Sequence, residues 1–226
     1  MKRLLFVTFA VFLSVNLLSA QGKQLKEGKV TYAISLPDSG GDESTMMAAS
    51  MMGKEQVIYF KDSNSRAESK TSMGDVVVIS NAKTGETYTL MNMMGQKIAL
   101  KLTDEDMSAM KEMINTGKPD IKITNEKKKI CGYKCTKAII TLKSEGKTFT
   151  SDAWFTDEIA SLPGSSVQNK IEGINGFMME FSTTNKGVTM KMTCTAVEAT
   201  PVSDDMFKVP DDYTVKSMSD MMGGMK

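Results

Sequence analysis

Short apolar runs punctuated by glycine constrain this chain more than any other feature. Gly74, Gly85 and Gly95 punctuate the runs Asp75–Asn81, Glu86–Met91 and Lys97–Leu102, a rhythm of strand and turn that suits antiparallel hairpins. An earlier run, Glu27–Leu36, alternates strictly. Val30, Tyr32, Ile34 and Leu36 fall on one face and Thr31, Ala33 and Ser35 on the other, the period of two that a half-buried strand shows. Pro37 has no amide hydrogen to give to a ladder and is the expected end of that strand.

Further strands are expected at Gln56–Lys61, Arg66–Thr71, Asp120–Asn125, Lys134–Lys143, Thr148–Phe155, Phe177–Thr183 and Val188–Ala199. One helix interrupts them. Thr103 offers a capping hydroxyl, Asp104, Glu105 and Asp106 put acids in the first turn, and Met107, Met110, Met113 and Ile114 follow at helical spacing. Gly117 and Pro119 end it, and Asp157–Leu162 reads as a short helical turn before Pro163-Gly164. A sheet of about ten strands curls or closes on itself. The expected fold is therefore mainly β: an antiparallel, curved or half-open barrel with one covering helix.

The first twenty residues read as a secretory signal. Lys2 and Arg3 precede an apolar stretch from Leu4 to Leu18, and Leu18-Ser19-Ala20 ends in a small residue suited to cleavage. The apolar stretch falls short of the roughly 20 residues that a membrane helix needs. The chain is thus expected to be exported, to the periplasm or beyond the cell, with no integral membrane span after cleavage. Residues 21–215 would form one domain and residues 216–226 a flexible tail rich in Met and Gly.

Charge and composition exclude several functions. Without Lys2 and Arg3, the 28 basic residues become 26 against 27 acids, so no basic excess is available to hold nucleic acid. There is no histidine, which removes the commonest general base and the commonest metal ligand together. No serine lies in a G-x-S-x-G setting. The acidic pairs, such as Asp157 with Glu158 and Asp211 with Asp212, fall in loops where capping and solvation account for them. The reading is a protein that is not an enzyme and needs no cofactor.

Three cysteines in an exported chain suggest one disulfide and one spare thiol. Cys131 and Cys135 on a continuous strand would stand about 13 Å apart, too far to bridge unless the chain turns at Gly132. Either could instead pair with Cys194. The preferred pair is Cys135 with Cys194, because both sit in runs that read as regular strands of one sheet.

Around these cysteines the residues resemble a known family. Ile130-x-Gly-Tyr-Lys-Cys135-x-Lys137-Ala138, then Ala153-Trp154-Phe155-Thr156, and the ending Phe207-Lys208-Val209-Pro210-x-x-Tyr213 resemble a family of exported bacterial domains of unknown function. Gly173-Ile174-Asn175-Gly176-Phe177-Met178-Met179-Glu180 resembles the signature segment of the exported GLPGLI family, with Asn175 in place of its proline. Both are similar in outline to the LolA/LolB-like lipoprotein carriers. That resemblance implies a half-open antiparallel barrel covered by helices and enclosing an apolar cavity.

Methionine is the remaining peculiarity, with 21 in the chain. Flexible, polarisable thioether side chains can line a pocket for apolar ligands of varied shape. Met190 and Met192 share one strand face, as do Phe177, Met179 and Phe181, and these are the expected walls of such a cavity, with Met107, Met110 and Met113 as its lid. Thioethers also bind Cu(I) or Ag(I), and Met91-x-Met93 and Met190-x-Met192 have a suitable spacing. The bland alternative is that methionine simply replaces leucine in the core, at a cost usually under about 1.5 kcal/mol. The sequence thus points to non-catalytic binding of a lipid-like or other apolar molecule, or of an exported polypeptide. Soft-metal binding or a structural role in the envelope are the alternatives.

Overall fold

A computed structural model describes residues 24–39, 43, 47, 53–72, 74–93, 95–103, 105–106, 108, 119–144, 147–162, 173–185 and 188–223. Six strands come first: β1 Glu27–Ser39, β2 Glu55–Lys61, β3 Asn64–Thr71, β4 Gly74–Asn81, β5 Glu86–Met93 and β6 Gln96–Leu102. Five more follow: β7 Asp120–Ile130, β8 Tyr133–Ser144, β9 Lys147–Thr156, β10 Phe177–Asn185 and β11 Val188–Glu198. A 3-10 turn at Asp204–Phe207, the short strand β12 Thr214–Ser217 and the helical turn α1 Met218–Gly223 complete the described chain.

All twelve strands belong to one sheet, in the order β12-β6-β5-β4-β3-β2-β1-β11-β10-β9-β8-β7. It is built from two meanders. One runs outward from β1 to β6, the other inward from β7 at the far edge to β11, and they are sewn together where β1 pairs with β11. Every neighbouring pair is antiparallel except β12 with β6. β12 and β7 are the two edges, so the sheet is open, as expected of a half-open barrel.

The sheet curls over the face that carries Val30, Tyr32, Ile58 and Phe60. Strands stand about 4.8 Å apart, so on a flat sheet Phe60 of β2 and Phe177 of β10, three strands away, would be separated by roughly 14 Å. Their ring centroids are 5.9 Å apart. Tyr32 stacks on Phe177 with centroids at 6.5 Å. The inner core collected by this curl includes Val30, Tyr32, Ile58, Phe60, Ile130, Cys135, Phe177, Met179, Met192 and Cys194.

Several local expectations are corrected. β1 does not stop at Pro37 but continues to Ser39, with a register shift between Ser35 and Asp38 that accommodates the imino residue. β7 extends past Asn125 through Lys127, Lys128 and Lys129, and an edge strand tolerates those lysines because one side of it faces water. Asp157–Leu162 is not a helical turn: Ile159 forms a parallel bridge with Leu25, supported by bonds of 2.8 and 2.9 Å from Leu25 N to Glu158 O and from Ala160 N to Leu25 O. Beyond residue 215, β12 is completed and α1 follows.

At the expected helix start, Glu105, Asp106 and Ser108 are helical. The cap is reciprocal: Asp106 N donates to Thr103 Oγ1 at 3.2 Å, and Thr103 N donates back to Asp106 Oδ2 at 2.8 Å. This is the capping-box exchange with an aspartate in the third helical position.

Candidate functional site

Residues directly opposite each other in a ladder share a face, which lets the inner surface be followed from strand to strand. One row runs Val30, Ile58, Ala67, Val78, Thr89, Leu100. The next runs Tyr32, Gln56, Ser69, Val76, Met91, Ile98. At the β1–β3 end Val30, Tyr32 and Ile58 are fully buried and Ala67 is 4% exposed, with Gln56 and Ser69 of the second row half-buried. Toward β4–β6, Val76, Val78, Thr89, Met91 and Leu100 are only half-buried, and Ile98 at the end of the second row is 6% exposed. They form a contiguous, mostly apolar surface on the inside of the curl.

The opposite face of the same strands is covered by the chain's own C-terminal segment, with Ile79, Leu90 and Ala99 buried and Val77 and Tyr88 half-buried. Val77 and Ile79 of β4, Tyr88 and Leu90 of β5 and Ala99 of β6 pack beneath Val202, Met206, Phe207, Val209 and Tyr213 from the segment that leads to β12. Phe207 sits in the 3-10 turn, whose start is capped by Ser203 accepting from Asp205 N. Lys61 anchors the segment through Asp204 at 2.7 Å, and Arg66 donates to the Met206 carbonyl at 3.2 Å. The Phe-Lys-Val-Pro-x-x-Tyr ending is therefore a clasp over the outer face.

The expected cavity walls lie in different settings. Phe177 and Met179 are fully buried and Met192 is 4% exposed, all in the inner core, while Phe181 and Met190 are half-buried against it. Met107, Met110 and Met113 lie outside the described residues. Of the methionines considered for soft metal, Met91 is half-buried on the inner row and Met93 closes β5. Among the described residues, no three His, Cys, Asp or Glu side chains are grouped to hold a metal ion.

The Gly173–Glu180 segment has a steric reason for its glycines. Gly173 holds φ 100°, which side chains avoid. A Cβ on Gly176 would lie 2.5 Å from the Thr156 carbonyl oxygen and 2.8 Å from Phe155 Cδ2. Just beyond, β10 carries a bulge between Met178 and Glu180. The Tyr32 hydroxyl, reaching across β11, donates to the Met178 carbonyl there. Glu180 follows, 16% exposed in its side chain, and accepts Lys128 at 3.0 Å and Lys191 at 3.3 Å. Lys128 also stands 4.3 Å above the Trp154 ring, a cation–π contact that holds the edge hairpin against β9 and β10.

The three cysteines are free thiols. The expected bridge between Cys135 and Cys194 is not formed, and the sulfur facing Cys194 is that of Cys131, 3.4 Å away. Cys135 is turned instead toward the Tyr133 carbonyl at 3.5 Å. Burial pushes the Cys135 thiol up to about 11. Burial and then the neighbouring Cys131 sulfur push Cys194 upward as well.

This geometry is that of an open, curled antiparallel sheet with one face clasped by its own C-terminal segment and the other half-covered. A domain of unknown function, DUF4412, matches residues 43–213, and the chain belongs to that family. No curated protein matches it. Among solved structures it is similar to LprF from Mycobacterium bovis, at 10% identity and a TM-score of 0.36, over 84% of this chain and 91% of that one. No helix among the described residues is long and apolar enough to cross a membrane.

Proposed function

We propose that this protein is a non-catalytic, exported binder of an apolar or lipid-like ligand, held against the inner face of β4–β6. One observation carries the reading: Val76, Val78, Met91 and Leu100 remain half-buried on the inside of the curl, whereas on the outer side of the same strands residues 202–213 cover Ile79, Leu90 and Ala99 and leave Val77 and Tyr88 half-buried. Binding would bury that apolar surface at about 25 cal/mol per Å². Thr89, midway along the row, adds a hydroxyl that can orient a polar end of the ligand. Met190 and Phe181, half-buried at the margin of the inner core, would extend the surface toward β10 and β11. Phe177, Met179 and Met192 would then act as its floor.

Native mass spectrometry of the full chain, purified from its own host without detergent, tests this. A retained lipid-sized mass that disappears in Val78→Glu, with the unfolding transition preserved, is the expected result. A bare chain in both proteins, together with no uptake of an added fatty-acyl probe, would overturn it.

A further inference from the structure

The hairpin between β7 and β8 turns on Cys131 and Gly132, the two residues between the paired Ile130 and Tyr133. Both have positive φ, 48° and 87°, as the two-residue type I′ turn demands. Asn, Asp and Gly suit the first of these positions, and cysteine occupies it against its backbone preference. What the cysteine contributes there is a reach across the sheet. β9 and β10 lie between this hairpin and β11, yet Cys131 Sγ is 3.4 Å from Cys194 Sγ and 3.3 Å from the Cys194 carbonyl oxygen.

We propose that Cys131 and Cys194 are a disulfide pair that closes in an oxidising compartment and leaves Cys135 as the one free thiol. A disulfide needs about 2.05 Å between its sulfurs, a short approach from the observed contact. Exposure orders the chemistry: Cys131 is exposed and Cys194 buried. The Cys131 thiolate attacks a small disulfide-bearing oxidant, forming a mixed disulfide and expelling one thiolate. The Cys194 thiolate then attacks the Cys131 sulfur, the protein S–S bond forms, and the second thiolate leaves. Two protein thiols are oxidised, one disulfide is reduced to two thiols, and the two thiol protons pass to the leaving groups. Cys135, buried beside the pair, is spared by its inaccessibility. The bond would lock the curl by tying the edge hairpin to the middle of the sheet.

The test uses the full chain equilibrated with oxidised glutathione, then unfolded in denaturant with N-ethylmaleimide and digested without reductant. The expected result is a single label, on Cys135, and a peptide joining Cys131 to Cys194. Cys135→Ser keeps that link, whereas Cys131→Ser loses it. Reduction should lower the thermal midpoint by about 5 °C or more in the parent and in Cys135→Ser, but not in Cys131→Ser. Three labels on the oxidised parent, or any link through Cys135, would overturn the assignment.

Discussion

The Tyr32 hydroxyl donates to the Met178 carbonyl, joining β1 to a bulge on β10 across the intervening β11. Both ends of this contact are buried, and the tyrosine ring is also stacked on Phe177 and edge-on to Phe181 at 6.4 Å. Because it spans an intervening strand, the contact bears directly on the curl of the sheet. Tyr32→Phe keeps the ring packing and removes only the donor. The expected loss is about 0.5–1.5 kcal/mol, the usual net worth of one intramolecular hydrogen bond, measured by urea denaturation. An unchanged midpoint would mean the carbonyl is satisfied elsewhere.

Phe177 is the residue on which the curl closes, with ring contacts to both Tyr32 and Phe60. Phe177→Ala should cost about 3–5 kcal/mol by opening a cavity in a fully buried site. Val78→Ala, at a half-buried position, should cost clearly less while weakening uptake of a fatty-acyl probe. Paired denaturation and binding titrations separate the two effects.

At Met190 and Met192, thioether chemistry and simple bulk make opposite forecasts. The double change to Leu should cost less than about 1.5 kcal/mol per site and leave apolar ligand binding intact. Calorimetry with Cu(I) gives the contrary arm, since a thioether site at these residues would lose its metal in the double variant.

Gly176→Ala should destabilise the fold by more than about 1 kcal/mol, because its Cβ would press into the Thr156 carbonyl and the Phe155 ring. Gly74→Ala provides the comparison, since a Cβ there meets nothing within 4 Å although φ is 119°. Its cost is that of the backbone alone. Thermal midpoints of the two variants should therefore differ, with Gly176→Ala the lower.

The pH dependence follows from lysine–carboxylate pairs in a chain without histidine. Hydrogen bonds from Lys101, Lys61 and Lys97 hold Glu86, Asp204 and Asp212 below the ordinary carboxylate range. A lowered folded value means stability that is present above the unfolded value and lost as pH falls through the folded one, here below about pH 4. The partner lysines are raised, so their share is lost only as pH climbs past the ordinary lysine value of about 10.4. The thermal midpoint should be nearly flat from about pH 6 to 8 and decline below pH 4. A step near pH 6.5 would contradict this.

Much of this architecture is visible in the residues themselves. The alternation in Glu27–Leu36, the glycines around β4, β5 and β6, and the Thr103–Asp106 cap each act within a few residues, so local physics suffices to read them. β12 escaped because Thr214–Ser217 is four residues long and pairs in parallel with β6, more than a hundred residues earlier. The half-buried inner patch was obscured by β4 itself: Val76 and Val78 face inward and Val77 and Ile79 outward, so both faces are apolar and alternation gives no sign of which is covered.

What the sequence determines by itself is a chain of antiparallel strands too numerous for a flat sheet, without histidine and without a net excess of basic residues. Which face of β4–β6 is clasped and which cysteine meets Cys194 were decided only by tertiary structure. The clasp depends on where residues 202–213 cross the sheet, and the sulfur contact on a curl that carries the Cys131 turn over to β11. Both are sums of many weak long-range contacts, and no short window of residues contains them.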